Sequence, residues 1–262
     1  MYPILFQGGG FTIDSYNVLW FIALSLAMVW IARRFKLYGF DEAGEREARR
    51  VICWAFIAML LGAGLYKPLL HIRKFASNPA KILTEGGLSE IGAVIGALLS
   101  TFLLCRNNHK ISFQRLCDVG ALPAFLSIAV GRWGCFLNGC CVGIISDFPL
   151  AVHFPRDAEG VLRHPTQLYY SACSVVFIVI LFYVERALFR RFPLKERDID
   201  GSYHAILAPL ALILYSVMRL SIDELRAITD PTPTFQLGRY FLIASIPFGC
   251  VWLTRSIRKI TA

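Results

Sequence analysis

Charge is what this chain has least of. Asp, Glu, Lys and Arg make up 17% of its 262 residues, while hydrophobic residues make up 56%. A soluble domain of this length carries more charge, so the composition points to an integral membrane protein. Acidic side chains are the scarcer sign, 18 against 27 Lys and Arg, for a net charge of +9. In a membrane protein such an excess reflects positive cytoplasmic loops rather than nucleic-acid binding. The first apolar run lacks a basic n-region and an A-x-A site, so it reads as an uncleaved span and not a signal peptide. Internal repeats, low-complexity tracts and linkers are also lacking, so one membrane domain over residues 1–262 is expected. No motif for a metal or a soluble cofactor is found, and none is expected.

What the chain does have is apolar runs near the ~20 residues that cross a bilayer as a helix. Seven are expected, at 14–33, 50–70, 88–105, 119–137, 166–185, 203–222 and 236–254. The third and fourth are rich in glycine. Gly92, Gly96 and Ala97 are small enough to let helices approach closely.

Lys and Arg set the orientation. Alternate loops carry 17 of them on one side and 8 on the other, leaving out Arg132 and Arg219, which lie within spans. The richer side is expected to be cytoplasmic. The N-terminus is then outside and the C-terminus inside, as an odd number of spans requires. The ends of spans four and six face outward.

Arg132, in GRWGCFLNGCC, and Arg219, in YSVMRLSIDELR, fall near that outer face. An arginine within a span is expensive and marks a candidate functional site. Singly, each could snorkel to the interface or pair with Asp223 or Glu224. Together they suit a phosphate, which guanidinium binds through two parallel hydrogen bonds. Asp223 lies one helical turn after Arg219 and has two available roles, orienting that arginine or moving a proton.

Two further stretches carry polar groups. HPTQLYYS opens span five, with Pro165 suited to a first helical turn. His164 is a base or a structural hydrogen-bonder, and Gln167 can donate at the interface. Tyr169 and Tyr170 fit an ordinary aromatic belt. EGGLSEIGAVIG opens span three. Gly86 and Gly87 suit a turn or a close backbone approach to a ligand. Glu90 sits where a carboxylate meets the positive end of a helix.

Eight cysteines are present. Most lie in apolar runs and behave as small hydrophobes. Cys135, Cys140 and Cys141 cluster on the outer side but match no zinc spacing. Packing is their expected role, with a disulfide or a reactive thiol as the other options.

These stretches together resemble one family. GRWGCFLNGCCVG is similar to the G-R-[IL]-G-N-F-[IL]-N-G-E-x-x-G signature of the prolipoprotein diacylglyceryl transferases. HPTQLYY resembles that family's H-P-[ST]-Q-L-Y-E, and EGGLSEIGAVIG its G-G-[ML]-x-x-H-G-G-x-[IL]-G. LYSVMRLSIDELR resembles its Y-G-x-x-R-F-x-x-E-x-x-R. FTIDSYNVLW looks like its opening I-x-S-Y-G-L, and FQLGRYF its closing L-S-x-G-Q-x. Order and spacing agree over nearly the whole chain, and the family has seven spans with the N-terminus outside.

The resemblance implies an enzyme that takes diacylglyceryl from phosphatidylglycerol, or another anionic phospholipid. It joins the group by a thioether to the lipobox cysteine of a preprolipoprotein, releasing glycerol phosphate at the outer face of the bacterial inner membrane. It implies no cofactor. Arg132 and Arg219 match the family's essential arginines. Tyr16, Asn138, Gly143, Tyr215 and Arg226 match other motif positions.

Several positions depart from the family pattern. Its third-span histidine falls on Ile91, its signature asparagine on Cys135 and the following glutamate on Cys140. A glutamate closing the span-five motif falls on Tyr170, and one after the second arginine on Asp223. The phosphate-binding half is kept while the half that handles the thiol proton is altered. Proton handling would pass to Glu90, His164 or Asp223. Two functions follow: a diacylglyceryl transferase with a standard or changed acceptor, or a paralogue that binds phospholipid as an envelope accessory protein without this transfer.

Overall fold

The computed structural model describes residues 2–8, 11–70, 72, 77, 89–108, 110–192, 198–199, 202–227 and 233–261. A hairpin of β1 (Ile4–Gly8) and β2 (Phe11–Asp14) leads into α1 (Ser15–Leu37) and α2 (Glu42–Leu70). Then come α3 (Glu90–Arg106), α4 (Phe113–Leu137) and α5 (Thr166–Arg191). A two-residue hairpin of β3 (Asp198–Ile199) and β4 (Ser202–Tyr203) precedes α6 (Leu207–Asp223) and α7 (Pro233–Thr261). Helices thus dominate, and the seven among the described residues fall on the seven apolar runs.

Five of them are long and apolar enough to cross a membrane: Ser15–Leu37, Glu42–Tyr66, Phe113–Leu137, Thr166–Arg191 and Phe235–Thr261. The other two, α3 and α6, have 17 residues each. That is about 25 Å of helix, at the short end of what spans a hydrocarbon core.

Helix starts follow from capping chemistry. Asp41 Oδ1 accepts from the Gly44 amide at 2.7 Å, and Glu42 and Glu45 occupy the first turn of α2. Ser89 Oγ accepts from the Gly92 amide at 3.2 Å to open α3. The cap of α6 is tertiary. Asp118 of α4 accepts from the Ala208 amide at 2.7 Å, the Ile206 amide at 3.1 Å and the Tyr203 hydroxyl at 2.9 Å.

The chain forms two compact units. One comprises Phe35–Leu116 and Pro231–Gly238. Here α2 and α3 meet at small residues, as expected of Gly92 and Gly96. A Cβ on Gly92 would come 2.2 Å from the Gly62 carbonyl oxygen, and one on Gly96 2.3 Å from that of Ala58. Ile91, where the family pattern has histidine, lies against Gly238; a Cβ there would reach its Cδ1 at 2.3 Å. The position is used for apolar packing.

The other unit comprises Met1–Arg34, Cys117–Asp230 and Arg239–Ala262. One end of its helices is locked by polar contacts. Arg34 is buried, pairs with Glu185 and donates from Nε to the Val119 carbonyl at 2.9 Å. Buried charges persist where their partners satisfy them. The opposite end joins the start of α1, the end of α4, the start of α5 and the end of α6. There the polar residues of the sequence motifs collect.

Candidate active site

Tyr170 is the centre of this end. It is 1% exposed, in the second turn of α5. Arg132 Cζ stands 4.2 Å from its ring centroid and Arg219 Cζ 5.5 Å. Cation–π attraction therefore holds both guanidinium groups to one ring. The Tyr170 hydroxyl donates to Asp223 Oδ1 at 2.9 Å. Asp223 accepts from Arg219 Nε at 3.0 Å and from Arg226 Nη1 at 3.2 Å. Arg132, Arg219, Asp223 and Arg226 thus form one connected group, as the sequence reading of two converging arginines expects. Tyr170, read there as belt composition, is what connects them. The only sequence signal for it is its place in HPTQLYY.

Among the described residues the group holds three arginines and one carboxylate, with Arg219 and Arg226 paired to Asp223 and Arg132 on the Tyr170 ring. Asp223 accepts from three donors, two of them cationic. Its carboxylate thereby ties Arg219 to Arg226. Tyr215 lies one turn before Arg219 on α6, on the same helical face.

The signature glycines bring α1 to α4. A Cβ on Gly134 would lie 3.1 Å from the Tyr16 carbonyl oxygen and 3.2 Å from Leu19 Cβ. The close approach puts the Tyr16 phenol within electrostatic reach of Arg132, Cys135, Cys140 and Cys141.

Beyond α4 the chain turns sharply through Gly139, at φ 66°, and Cys141, at φ 60°. A cysteine in the left-handed region costs on the order of 1–3 kcal/mol. The start of α5 holds it there. Thr166 Oγ1 donates to the Cys141 carbonyl at 2.7 Å, and Gln167 Nε2 to the Cys140 carbonyl at 2.5 Å. Gln167 is fully buried. Its Oε1 has no donor among the described residues, an uncommon state for a buried amide oxygen.

This turn gathers three thiols. The sulfurs of Cys135, Cys140 and Cys141 all lie within 4.8 Å of one another. Asn138 hydrogen-bonds the Cys140 sulfur. The Cys141 thiol is held well below the ordinary thiol range. Hydrogen bonds with Cys135 and Cys140 do most of this, and Arg226 and Arg132 add to it against the opposing effect of burial. Asn138, Arg132 and Arg226 are the cluster's polar neighbours, while Cys135 is buried in the core.

Gly143 acts through the backbone. Its amide donates to the His164 carbonyl at 2.9 Å, and the next amide, of Ile144, donates to the Leu225 carbonyl at 2.9 Å. The strip thereby ties the approach to α5 to the exit from α6. His164 Nδ1 is 3.0 Å from the Tyr169 hydroxyl, and its ring packs on Phe148. Glu90 belongs to the other unit, at the start of α3. Gly86 and Gly87 lie outside the described residues.

A helical membrane protein with an arginine-lined polar end has the donors and charge to meet an anion at the membrane. The comparison with known families narrows the class. The family model for prolipoprotein diacylglyceryl transferase matches residues 3–255. This chain belongs to that family and is a transferase of lipoprotein biosynthesis. Three relatives, each named phosphatidylglycerol–prolipoprotein diacylglyceryl transferase, illustrate the match. The protein from Clostridium novyi (strain NT) is 29% identical over 264 residues, covering 98% of this chain and 96% of its own. That from Rickettsia bellii (strain OSU 85-389) is 28% identical over 251 residues, covering 94% and 88%. That from Ectopseudomonas mendocina (strain ymp) is 31% identical over 242 residues, covering 90% and 83%.

Proposed function

We propose that this chain moves the diacylglyceryl group of phosphatidylglycerol to a cysteine thiol of a prolipoprotein. It does so at the outer face of a bacterial inner membrane, as one membrane domain of seven spans with the N-terminus outside. The observation that carries the reading is the pair of arginines on the Tyr170 ring, tied through Asp223. Relatives named for this reaction over nearly their whole length support it, as does the 17-to-8 distribution of Lys and Arg.

The geometry suggests a division of labour. Arg132 and Arg219 grip the lipid phosphate and stabilise the charge that grows on it as the carbon–oxygen bond breaks. Tyr170, Asp223 and Arg226 are positioning residues for those two. Gln167 Oε1 and the Tyr16 phenol suit the hydroxyls of a glycerol headgroup. Thiolate, the real nucleophile, attacks the glyceryl carbon. His164 is the remaining imidazole of the motifs at this end, and its hydrogen bond to Tyr169 orients it. Asn138, Gly143 and Tyr215 complete the set by correspondence with the family motifs.

The test is a transfer assay. Full-length protein in nanodiscs receives phosphatidylglycerol and a lipobox peptide, with glycerol phosphate release and peptide mass as readouts. The expected result is a peptide heavier by one diacylglyceryl group. A second reading, a lipid-binding paralogue without this transfer, is favoured by Ile91 standing at the family's histidine position. Bound phospholipid with neither product formed would establish that reading instead.

A further inference from the structure

The three thiols at the turn after α4 are left over from the mechanism above. Their sulfurs lie within 4.8 Å of one another. Cys135 is buried while Cys140 and Cys141 are half-buried, so the group is open on one side. A packing role would suit apolar surroundings, but the neighbours include Arg132, Arg226 and Asn138. A disulfide would use two of the three and leave the convergence of the third unexplained. The strained backbone at Cys141 is held by Thr166 and Gln167 rather than relaxed.

We propose that Cys135, Cys140 and Cys141 bind a zinc ion whose open fourth position takes the acceptor thiol as a thiolate. The inference rests on the proposed transfer to a thiol. Zinc is bound tetrahedrally by thiolates at about 2.3 Å, which needs sulfurs roughly 3.8 Å apart. The three sulfurs reach that by a small inward movement. Three protein ligands and an exchangeable fourth is the pattern of a catalytic zinc site, whereas four would close it. Three thiolates on zinc leave one net negative charge, and the acceptor thiolate adds another. Arg132 and Arg226 lie within electrostatic reach to balance them. Zinc removes the proton problem posed by Ile91, because a thiol that coordinates it is deprotonated outright.

The step balances. The acceptor thiol displaces a zinc-bound water, which carries the thiol proton to the aqueous side. A sulfur lone pair forms the bond to the glyceryl carbon. The carbon–oxygen bond to phosphate breaks, and its electron pair leaves on glycerol phosphate between the arginines. The thioether product is neutral, binds zinc weakly and departs.

The test uses the full chain in nanodiscs without phosphatidylglycerol, so it is read apart from turnover. Incubation with zinc and removal of the excess is expected to leave about one zinc per chain, as three thiolate ligands allow. Cobalt in its place is expected to give sulfur-to-cobalt charge-transfer bands. A lipobox peptide with cysteine shifts those bands, and the same peptide with serine does not. The doubly substituted Cys135→Asn/Cys140→Glu protein, which carries the family pattern's own residues, folds and loses the metal. Stripping the metal lowers transfer on the order of tenfold at neutral pH, where a free thiol is only a few per cent thiolate, and zinc restores it. Cobalt without thiolate bands, bands that ignore the cysteine peptide, retention of Cu(I) alone, or full transfer by the stripped chain each overturns the inference. In the last case the transferase reading stands by itself. Metal and peptide bound normally, with no transfer once phosphatidylglycerol is added, keeps the metal site and sinks the transferase reading.

Discussion

The Tyr170 hydroxyl donates a 2.9 Å hydrogen bond to Asp223 across the gap between α5 and α6. The same tyrosine carries Arg132 at 4.2 Å and Arg219 at 5.5 Å over its ring. One side chain thereby fixes the spacing of two guanidinium groups that come from different helices. The family pattern has glutamate at this position. A glutamate there would add a second negative charge beside Asp223, whereas tyrosine holds the arginines without neutralising them.

Replacing Arg132 or Arg219 with alanine is expected to lower glycerol phosphate release roughly 100- to 1000-fold, the usual loss for one donor to a developing anion. Arg132→Lys should recover only part of this, since an ammonium lacks the planar fork. The check is steady-state release from phosphatidylglycerol nanodiscs. Full turnover by Arg132→Ala would show that the phosphate lies elsewhere.

Tyr170 should respond in two stages. Tyr170→Phe keeps the ring and loses the hydrogen bond, for about 1–1.5 kcal/mol or close to tenfold in kcat/KM. Tyr170→Leu also removes the cation–π contacts, worth about 0.5–2 kcal/mol each, and should be slower still. Equal rates for the two variants would mean that the ring does not hold the arginines.

Asp223→Asn leaves Arg219 and Arg226 without their carboxylate in a buried place. Breaking such a pair costs about 3–5 kcal/mol, so thermal unfolding in nanodiscs should move to clearly lower temperature. Asp223→Glu keeps the charge, matches the family pattern and should stay near the parent in both stability and transfer. A strongly impaired Asp223→Glu would indicate proton work at a specific distance rather than orientation.

Gly143→Ala should perturb the site without touching a polar group. The new Cβ would lie 2.5 Å from the His164 carbonyl oxygen, 2.6 Å from His164 Cβ and 2.8 Å from the Leu225 carbonyl oxygen. Backbone has to shift, at about 1–3 kcal/mol, and the strip joining His164 to Arg226 opens. Lower stability together with a raised KM for lipid is the expected pair of results.

Much of the fold was legible because lipid enforces it. A chain crossing hydrocarbon must satisfy its backbone internally, so long apolar runs become helices. The runs at 88–105 and 203–222 became α3 and α6 within two to four residues at their starts. Gly92 and Gly96 announced the tight pairing with α2. At the site, Arg132 and Arg219 were legible because charge inside an apolar run is costly and needs a reason. Tyr170 was not, since an aromatic near a helix start is ordinary. Neither was the convergence of the cysteines, whose C-x4-C-C spacing matches no ligand pattern.

By itself, the amino-acid sequence determined the helical membrane character, the family and the two arginines placed within apolar runs. Those rest on local properties: run length, charge and motif order along the chain. The tertiary structure alone decided that Tyr170 joins the arginines to Asp223, that Asp118 caps α6, and that three thiols meet at one point. Each depends on residues far apart in sequence, brought together by helix packing and by a left-handed turn at Cys141. Directional contacts of that kind leave no period or spacing for a one-dimensional reading to find.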